Sequence, residues 1–252
     1  MGMVIVTGGS RGIGADICRL AAQRGYGVCV NYSRGRGEAE AVVAEITKTG
    51  GQAIAVQADV AAEADVLRLF QEATARLGPV TALVNNAGLG GLHGPIESWD
   101  AEETRKLIEV NLLGPMICSR EAVKRMSRKH GGAGGCIVNI SSASARTGSP
   151  GIFVHYAATK AGLDVFTTGL AKEVAREGIR VAGVRPGYVR TDMYEEDLKK
   201  SPDQVRATIN AIPIGRIAEV RDISSVVLWL MSDEAAYATG SIIDLSGGRV
   251  TQ

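Results

Sequence analysis

Short runs of β-branched and aliphatic residues alternate with longer amphipathic stretches along nearly the whole chain. The pattern predicts strands at Met3–Thr7, Val28–Tyr32, Gln52–Gln57, Thr81–Asn85, Cys136–Ile140, Arg180–Val184 and Ser241–Leu245. Helical periodicity falls between them, at Ile13–Arg24, Glu38–Thr49, Glu63–Leu77, about Ala101 to Arg128, the stretch after Phe153, and near Glu219–Met231. The strand runs are apolar throughout, the mark of strands buried on both faces. Strands alternating with helices indicate a parallel sheet covered on both sides, an α/β doubly wound architecture. No repeat or Pro- or Ser-rich linker interrupts it, so residues 1–252 are expected to form one domain. Pro115 sits inside the long helix and is expected to kink it.

Composition narrows the function. The chain has 252 residues, within the range of a single large α/β domain. Aromatics make up only 4%, so the core is expected to be Val, Ile, Leu and Ala. Formal net charge is +1, with no basic or acidic block, so nothing asks for nucleic acid or an anionic membrane as partner. Cys18, Cys29, Cys118 and Cys136 lie far apart, with no C-x-x-C and no histidine cluster. Neither a disulfide framework nor a metal site is expected, and the thiols read as buried and inert. The N-terminus lacks a charged leader, and no apolar run approaches the ~20 residues of a membrane span. A soluble, cytoplasmic protein is expected.

The first strand runs into TGGSRGIG, carrying Gly8, Gly9, Ser10, Arg11, Gly12, Ile13 and Gly14. This G-x-x-x-G-x-G differs from the general dinucleotide fingerprint but has its context, a strand before and a helix after. Glycines there let the backbone approach a pyrophosphate at the helix N-terminus; the plainer reading is a simple turn. The second strand ends in Asn31, Tyr32, Ser33 and Arg34, where an acid would bind the ribose 2′-hydroxyl of NAD. With Arg11 nearby, two guanidiniums suit a 2′-phosphate, so NADP(H) is expected over NAD. The plainer reading has Arg34 and Arg36 merely solvating a loop.

Ala58, Asp59 and Val60 follow the third strand, where Asp59 caps the next helix or meets an adenine edge. Asn86, Ala87 and Gly88 end the fourth strand and offer a small, backbone-lined surface for a flat ring. Pro186 and Gly187 force a turn after the sixth strand, and beyond Val189 the hydroxyl of Thr191 is placed for a cofactor amide. The charged stretch Tyr194–Asn210, within a flap of about residues 188–213, reads as a mobile cover carrying substrate selection.

The chemistry centres on SASARTGSPGIFVHYAATK, residues 142–160. Tyr156 and Lys160 are four apart on a helix and share a face. A free phenol titrates near pH ~10, too high for a proton carrier at neutral pH. One cation about 4 Å away, at an effective dielectric of ~20, supplies roughly the 4 kcal/mol that would lower it by ~3 units. Ser142 is placed to hold a substrate oxygen. Any Y-x-x-x-K on a helix is also a plausible surface pair. Asn111, polar within an apolar helical pattern, reads as structural when taken alone. Of the histidines, His93 is the one expected near the site, while His155 is expected on another helical face and His130 at a helix C-terminus.

Taken together, TGGSRGIG, NNAG, Asn111, ISS, YAATK and RPGYVRT occur in the order of a short-chain dehydrogenase/reductase, which the chain resembles over essentially its whole length. It looks closest to the branch of 3-oxoacyl-carrier-protein reductases and glucose-1-dehydrogenase-like enzymes. The resemblance implies a three-layer Rossmann fold with a seven-stranded parallel sheet, order 3-2-1-4-5-6-7, and a homotetramer. It implies a tetrad of Asn111, Ser142, Tyr156 and Lys160, with Tyr156 as acid/base, Lys160 on the nicotinamide ribose and Asn111 holding a water. From Ser142 to Tyr156 is 14 positions where many members have 13, so either the GSPG loop holds an extra residue or Ser141 or Ser144 takes the role. The leading expectation is an NADP(H)-dependent oxidoreductase on a 3-oxoacyl thioester, sugar or other ketone. The alternative is a non-catalytic NADP(H)-binding regulator; an epimerase or dehydratase would keep the same tetrad.

Overall fold

A computed structural model describes residues 2–91, 93–191 and 202–250. Strands β1 (Met3–Val6), β2 (Gly27–Tyr32), β3 (Ala53–Gln57) and β4 (Val80–Asn85) are joined by helices α1 (Gly12–Gln23), α2 (Arg36–Lys48) and α3 (Glu63–Leu77). Helices α4 (Ala101–Ile108) and α5 (Gly114–Met126) lead to β5 (Gly135–Ile140). A short α6 (Ser144–Thr147) and the long α7 (Val154–Val174) precede β6 (Ile179–Pro186). Then come β7 (Val189–Arg190), α8 (Pro202–Asn210), β8 (Ala218–Glu219), α9 (Val220–Met231) and β9 (Ile242–Leu245).

The main sheet has seven parallel strands in the order β3-β2-β1-β4-β5-β6-β9, as the resemblance implied. Period-two alternation sends the buried residues of β1 to opposite faces. Val4 and Val6 join the core beneath α1, α2 and α9, while Met3 and Ile5 join the one beneath α3, α5 and α7. Both faces are therefore covered, which is why these strands read as unbroken apolar runs. All four cysteines are buried within these layers, and burial pushes their thiols up, Cys136 to about 11 and Cys118 to about 12.

The helix expected over Ala101–Arg128 is split by a π-helical turn at Glu109–Leu113. Pro115 has no N–H to give the carbonyl of residue 111, so the α ladder breaks one turn before the proline. The wider π turn is where Asn111 sits, fully buried. Of the expected flap, residues 192–201 lie outside the described residues, α8 (Pro202–Asn210) makes up much of the remainder, and the flap's start is pinned where β7 pairs with β8. No helix among the described residues is long and apolar enough to cross a membrane.

Candidate active site

The functional segments gather at the carboxyl ends of the central strands, where open parallel sheets bind ligands. Thr7 follows β1 and is buried. Its hydroxyl donates to the Val84 carbonyl at 3.3 Å and accepts from the N–H groups of Asn86 and Ala87 at 3.0 Å each. Asn86 Nδ2 answers with bonds to the carbonyls of Thr7 at 3.0 Å and Gly8 at 2.9 Å. These bonds fuse the glycine turn and the NNAG loop into one unit. Thr7 was not singled out by sequence; its signal was a hydroxyl at the end of the first strand.

Gly8 and Gly12 adopt left-handed backbone, φ 61° and 55°. A Cβ on Gly14 would stand 2.5 Å from Asn86 Nδ2 and closer still to the Gly8 carbonyl. The glycine turn thus packs directly on the start of α1, the kind of helix end whose N–H groups welcome a phosphate. A Cβ on Gly12 would stand 3.4 Å from Thr191 Cγ2, so the segment after β6 closes over the turn. Pro186 and Gly187 support that segment: the Pro186 carbonyl accepts from Ala143 N, and Gly187 N donates to Leu245 O. Such a glycine cradle fits a dinucleotide.

At the end of β2 the side chains divide into buried and exposed sets. The side chain of Asn31 is buried and fully engaged, Nδ2 with the carbonyls of Val56 and Ala58 and Oδ1 with Gly8 N. Tyr32 is buried in the core. Neither side chain is open to a ligand, because the turn above needs a floor; they shape the pocket from beneath. Ala58, Val60 and Val189 are likewise buried. Asp59 remains exposed and its Oδ1 accepts from Ala61 N, a turn ahead of α3; it does not cap that helix, whose N-cap is Ala62 with no side-chain bond. Ser33, Arg34 and Arg11 are exposed, and neither arginine pairs with a carboxylate among the described residues. Arg36 pairs with Glu40 across one helical turn and is occupied on its own helix.

Ser142 follows β5, held in place because the β5–β6 ladder continues past the strand through Ser141 N to Val184 O and Ala143 N to Pro186 O, 2.8 Å each. Its hydroxyl lies near enough to the Tyr156 phenol to lower the phenol's pKa, and it accepts from Ser144 N at 3.1 Å. Ser141 points elsewhere, donating to the Lys160 carbonyl at 3.2 Å. The 14-residue spacing therefore leaves Ser142 in place. The turn after α6 takes up the length, with Ser149 at φ 45° between Gly148 and Gly151.

Tyr156 and Lys160 lie on one face of α7, the Lys160 Nζ 5.7 Å from the phenol ring centroid. Lys160 is buried and donates to the Ile140 carbonyl at 2.9 Å. Burial lowers its pKa to about 8, against the raising influence of Asp164. The Tyr156 phenol lies above its ordinary value, because burial outweighs the lowering influence of Ser142. The sequence expectation of a phenol depressed by Lys160 is not what this structure shows. Asn111 reaches the same place from the π turn, where a Cβ on Gly88 would stand 3.3 Å from Asn111 Oδ1 and 3.6 Å from Lys160 Nζ.

The loop after β4 is stitched along the start of α7. Gly94 N donates to Ile152 O at 2.7 Å, His93 stacks on Phe153 at 5.1 Å, and Phe153 meets Tyr156 edge-on at 5.3 Å. His155 is buried against Trp99, ring centroids 4.3 Å apart. His93 is thus one ring removed from the phenol, and His155 braces the loop. No group of three or more His, Cys, Asp or Glu among the described residues is placed to hold a metal.

A parallel seven-stranded sheet with a glycine turn after β1 and a Ser–Tyr–Lys cluster after β5 defines a nicotinamide-dependent oxidoreductase class. The chain belongs to the short-chain dehydrogenase family, whose model matches residues 2–202. It is 44% identical over 249 residues to an uncharacterized oxidoreductase, YgfF, of Escherichia coli K12, covering 99% of this chain and 100% of that one. It is 37% identical over 248 residues to the 3-oxoacyl-[acyl-carrier-protein] reductase FabG of Staphylococcus aureus Mu50, covering 97% and 96%. Among solved structures it matches a 7α-hydroxysteroid dehydrogenase complexed with NADH and 7-oxo glycochenodeoxycholic acid. That match has a TM-score of 0.91 at 31% identity, covering 100% of this chain and 95% of that one.

Proposed function

We propose that this protein is an NADP(H)-dependent oxidoreductase that interconverts a carbonyl and a secondary alcohol, with Tyr156 as general acid/base. The observation that carries this reading is the shared pocket of Ser142, Tyr156 and Lys160, with Asn111 behind them and the glycine cradle beside them. A bound nicotinamide supplies or accepts the hydride. Ser142 holds the substrate oxygen against the phenol. Tyr156, neutral at physiological pH, gives its proton to that oxygen as it gains charge, which favours the direction of carbonyl reduction. The Lys160 ammonium then stabilises the phenolate left behind. Tyr156→Phe is expected to lose at least ~100-fold in turnover while still binding NADPH. Unchanged turnover in that variant would end the proposal, and a wild-type chain that binds NADPH but turns over no carbonyl or alcohol would point instead to a regulator.

The preference for NADP(H) rests on Arg11 and Arg34, exposed beside the cradle, and on the lack of an acid at Asn31–Arg34. The related hydroxysteroid dehydrogenase was solved with NADH, so the preference has to come from the residues at the end of β2 and not from the fold. Kinetics with both cofactors decide it: Arg34→Glu should weaken NADPH at least ~10-fold and spare NADH, a loss of about 1.4 kcal/mol or more.

The rings of Phe153 and His93 beside Tyr156, with exposed Leu89, Ile96 and Ile152 on the same seam, favour a 3-oxoacyl thioester or another ketone with an apolar flank over a sugar. Exposed Ile108, Leu113 and Val165 on α4, the π turn and α7 support a homotetramer, to be read by sedimentation. Four free, buried thiols suit the cytoplasm.

A further inference from the structure

Tyr156, Lys160 and Asp164 occupy successive i+4 positions of α7, so their side chains share one face a turn apart. Asp164 is buried: its Oδ2 accepts from Arg185 Nε at 2.7 Å, and its Oδ1 has no hydrogen-bond partner among the described residues. Arg185, on β6, continues to Asp244, its register partner on β9, at 3.3 Å. Phenol, ammonium, carboxylate, guanidinium and carboxylate thus alternate from the reactive hydroxyl to the partly exposed Asp244.

A buried ammonium is costly unless an anion stands near it. The titratable and charged groups on this side of Lys160 are Tyr156 and Asp164 on its own helix and, reached through Asp164, Arg185 on β6 and Asp244 on β9. The other elements packed on it bring neutral groups: the Ile140 carbonyl, Ser141 and Ser142 after β5, Asn111 on the π turn, and Gly88 after β4. Asp164 is the anion that acts on Lys160, in the direction that retains the proton.

We propose that Asp164, held by Arg185, is a positioning residue that keeps Lys160 in its ammonium form and so keeps the Tyr156 phenolate stabilised during turnover. The second half of that statement rests on the reading of Tyr156 as acid/base. The first half is tested without substrate, by ¹⁵N NMR titration of Lys160 Nζ. Asp164→Asn moves the Lys160 midpoint down by about one pH unit, since two charges ~6 Å apart at moderate dielectric interact by a few kcal/mol and Arg185 offsets part of it. Arg185→Gln, which keeps a hydrogen bond to Asp164 but removes the cation, moves it up. Asp164→Glu leaves it near the wild-type position. The alkaline limb of turnover follows each shift.

An unmoved midpoint in Asp164→Asn, or shifts of the same sign in Asp164→Asn and Arg185→Gln, overturns the inference, because mere structural damage has no reason to change sign. Should Asp164→Asn fail to fold, the direction of the Arg185→Gln shift decides alone. A wild-type protein that turns over no carbonyl removes the proposed function and leaves the lysine titration to judge this one.

Discussion

Asn111 grips Leu89 by both of its backbone polar groups: Oδ1 accepts from the Leu89 N–H and Nδ2 donates to the Leu89 carbonyl, each at 2.8 Å. This is the pairing of a strand, made by a side chain. It ties the loop after β4 to the π turn and places Gly88 beside Lys160.

Asn111→Ala is therefore expected to release the loop over residues 89–99. Loss of the clamp leaves two backbone groups to find other partners, worth about 1–3 kcal/mol where they stay shielded from water. Hydrogen exchange at the Leu89 amide should quicken, and turnover should fall with it. Turnover lost with the Leu89 amide still protected would assign Asn111 a direct part in proton transfer instead.

Gly14→Ala should cripple cofactor binding. Its Cβ would press on the Gly8 carbonyl and Asn86 Nδ2, and overpacking of this kind costs typically ~1–3 kcal/mol. At least a tenfold rise in the NADPH dissociation constant is expected, about 1.4 kcal/mol. Gly37→Ala, where nothing lies within 4 Å, is the control and should bind NADPH as the wild type does.

Lys160 carries a stability cost with a definite pH window. Its folded pKa, about 8, lies below the ordinary 10.5. Between those values the unfolded chain holds more protons than the folded one, so stability rises with pH from about 8 to 10.5, and the burial penalty is complete below 8. A shift of that size corresponds to roughly 3 kcal/mol. Lys160→Met should raise Tm at pH 7, flatten that rise, and abolish turnover. A fall in Tm at pH 7 would mean that the bond to the Ile140 carbonyl outweighs burial.

His155 gives the opposite end of the pH scale. Burial, and then the charge of His93, lower its pKa below the ordinary 6.5. On acidification the unfolded chain takes up the proton first, so stability falls as pH drops from 6.5 through the folded value. In a Trp229→Phe background, Trp99 emission should change over that range as its contact with His155 loosens. His155→Phe keeps a ring against Trp99 and should remove the change.

What the sequence determined by itself was the order of elements and the local chemistry. Apolar runs broken by helical stretches specify β1 to β6, β9 and the intervening helices, since periodicity and burial on both sheet faces are local consequences of composition. The i+4 spacing of Tyr156 and Lys160 likewise needed only a helix. Tertiary structure decided what each polar group spends its hydrogen bonds on. Asn31 spends its amide on Gly8, Val56 and Ala58, brought to it by the two strands that flank β2. Thr7 became the hub of the glycine turn only when β4 lay beside β1. Asp164 met Arg185 across 21 residues through the pairing of α7 with β6. The sign of the phenol's shift was also beyond the sequence, because spacing gives the neighbour's charge while only packing sets how much water both groups lose.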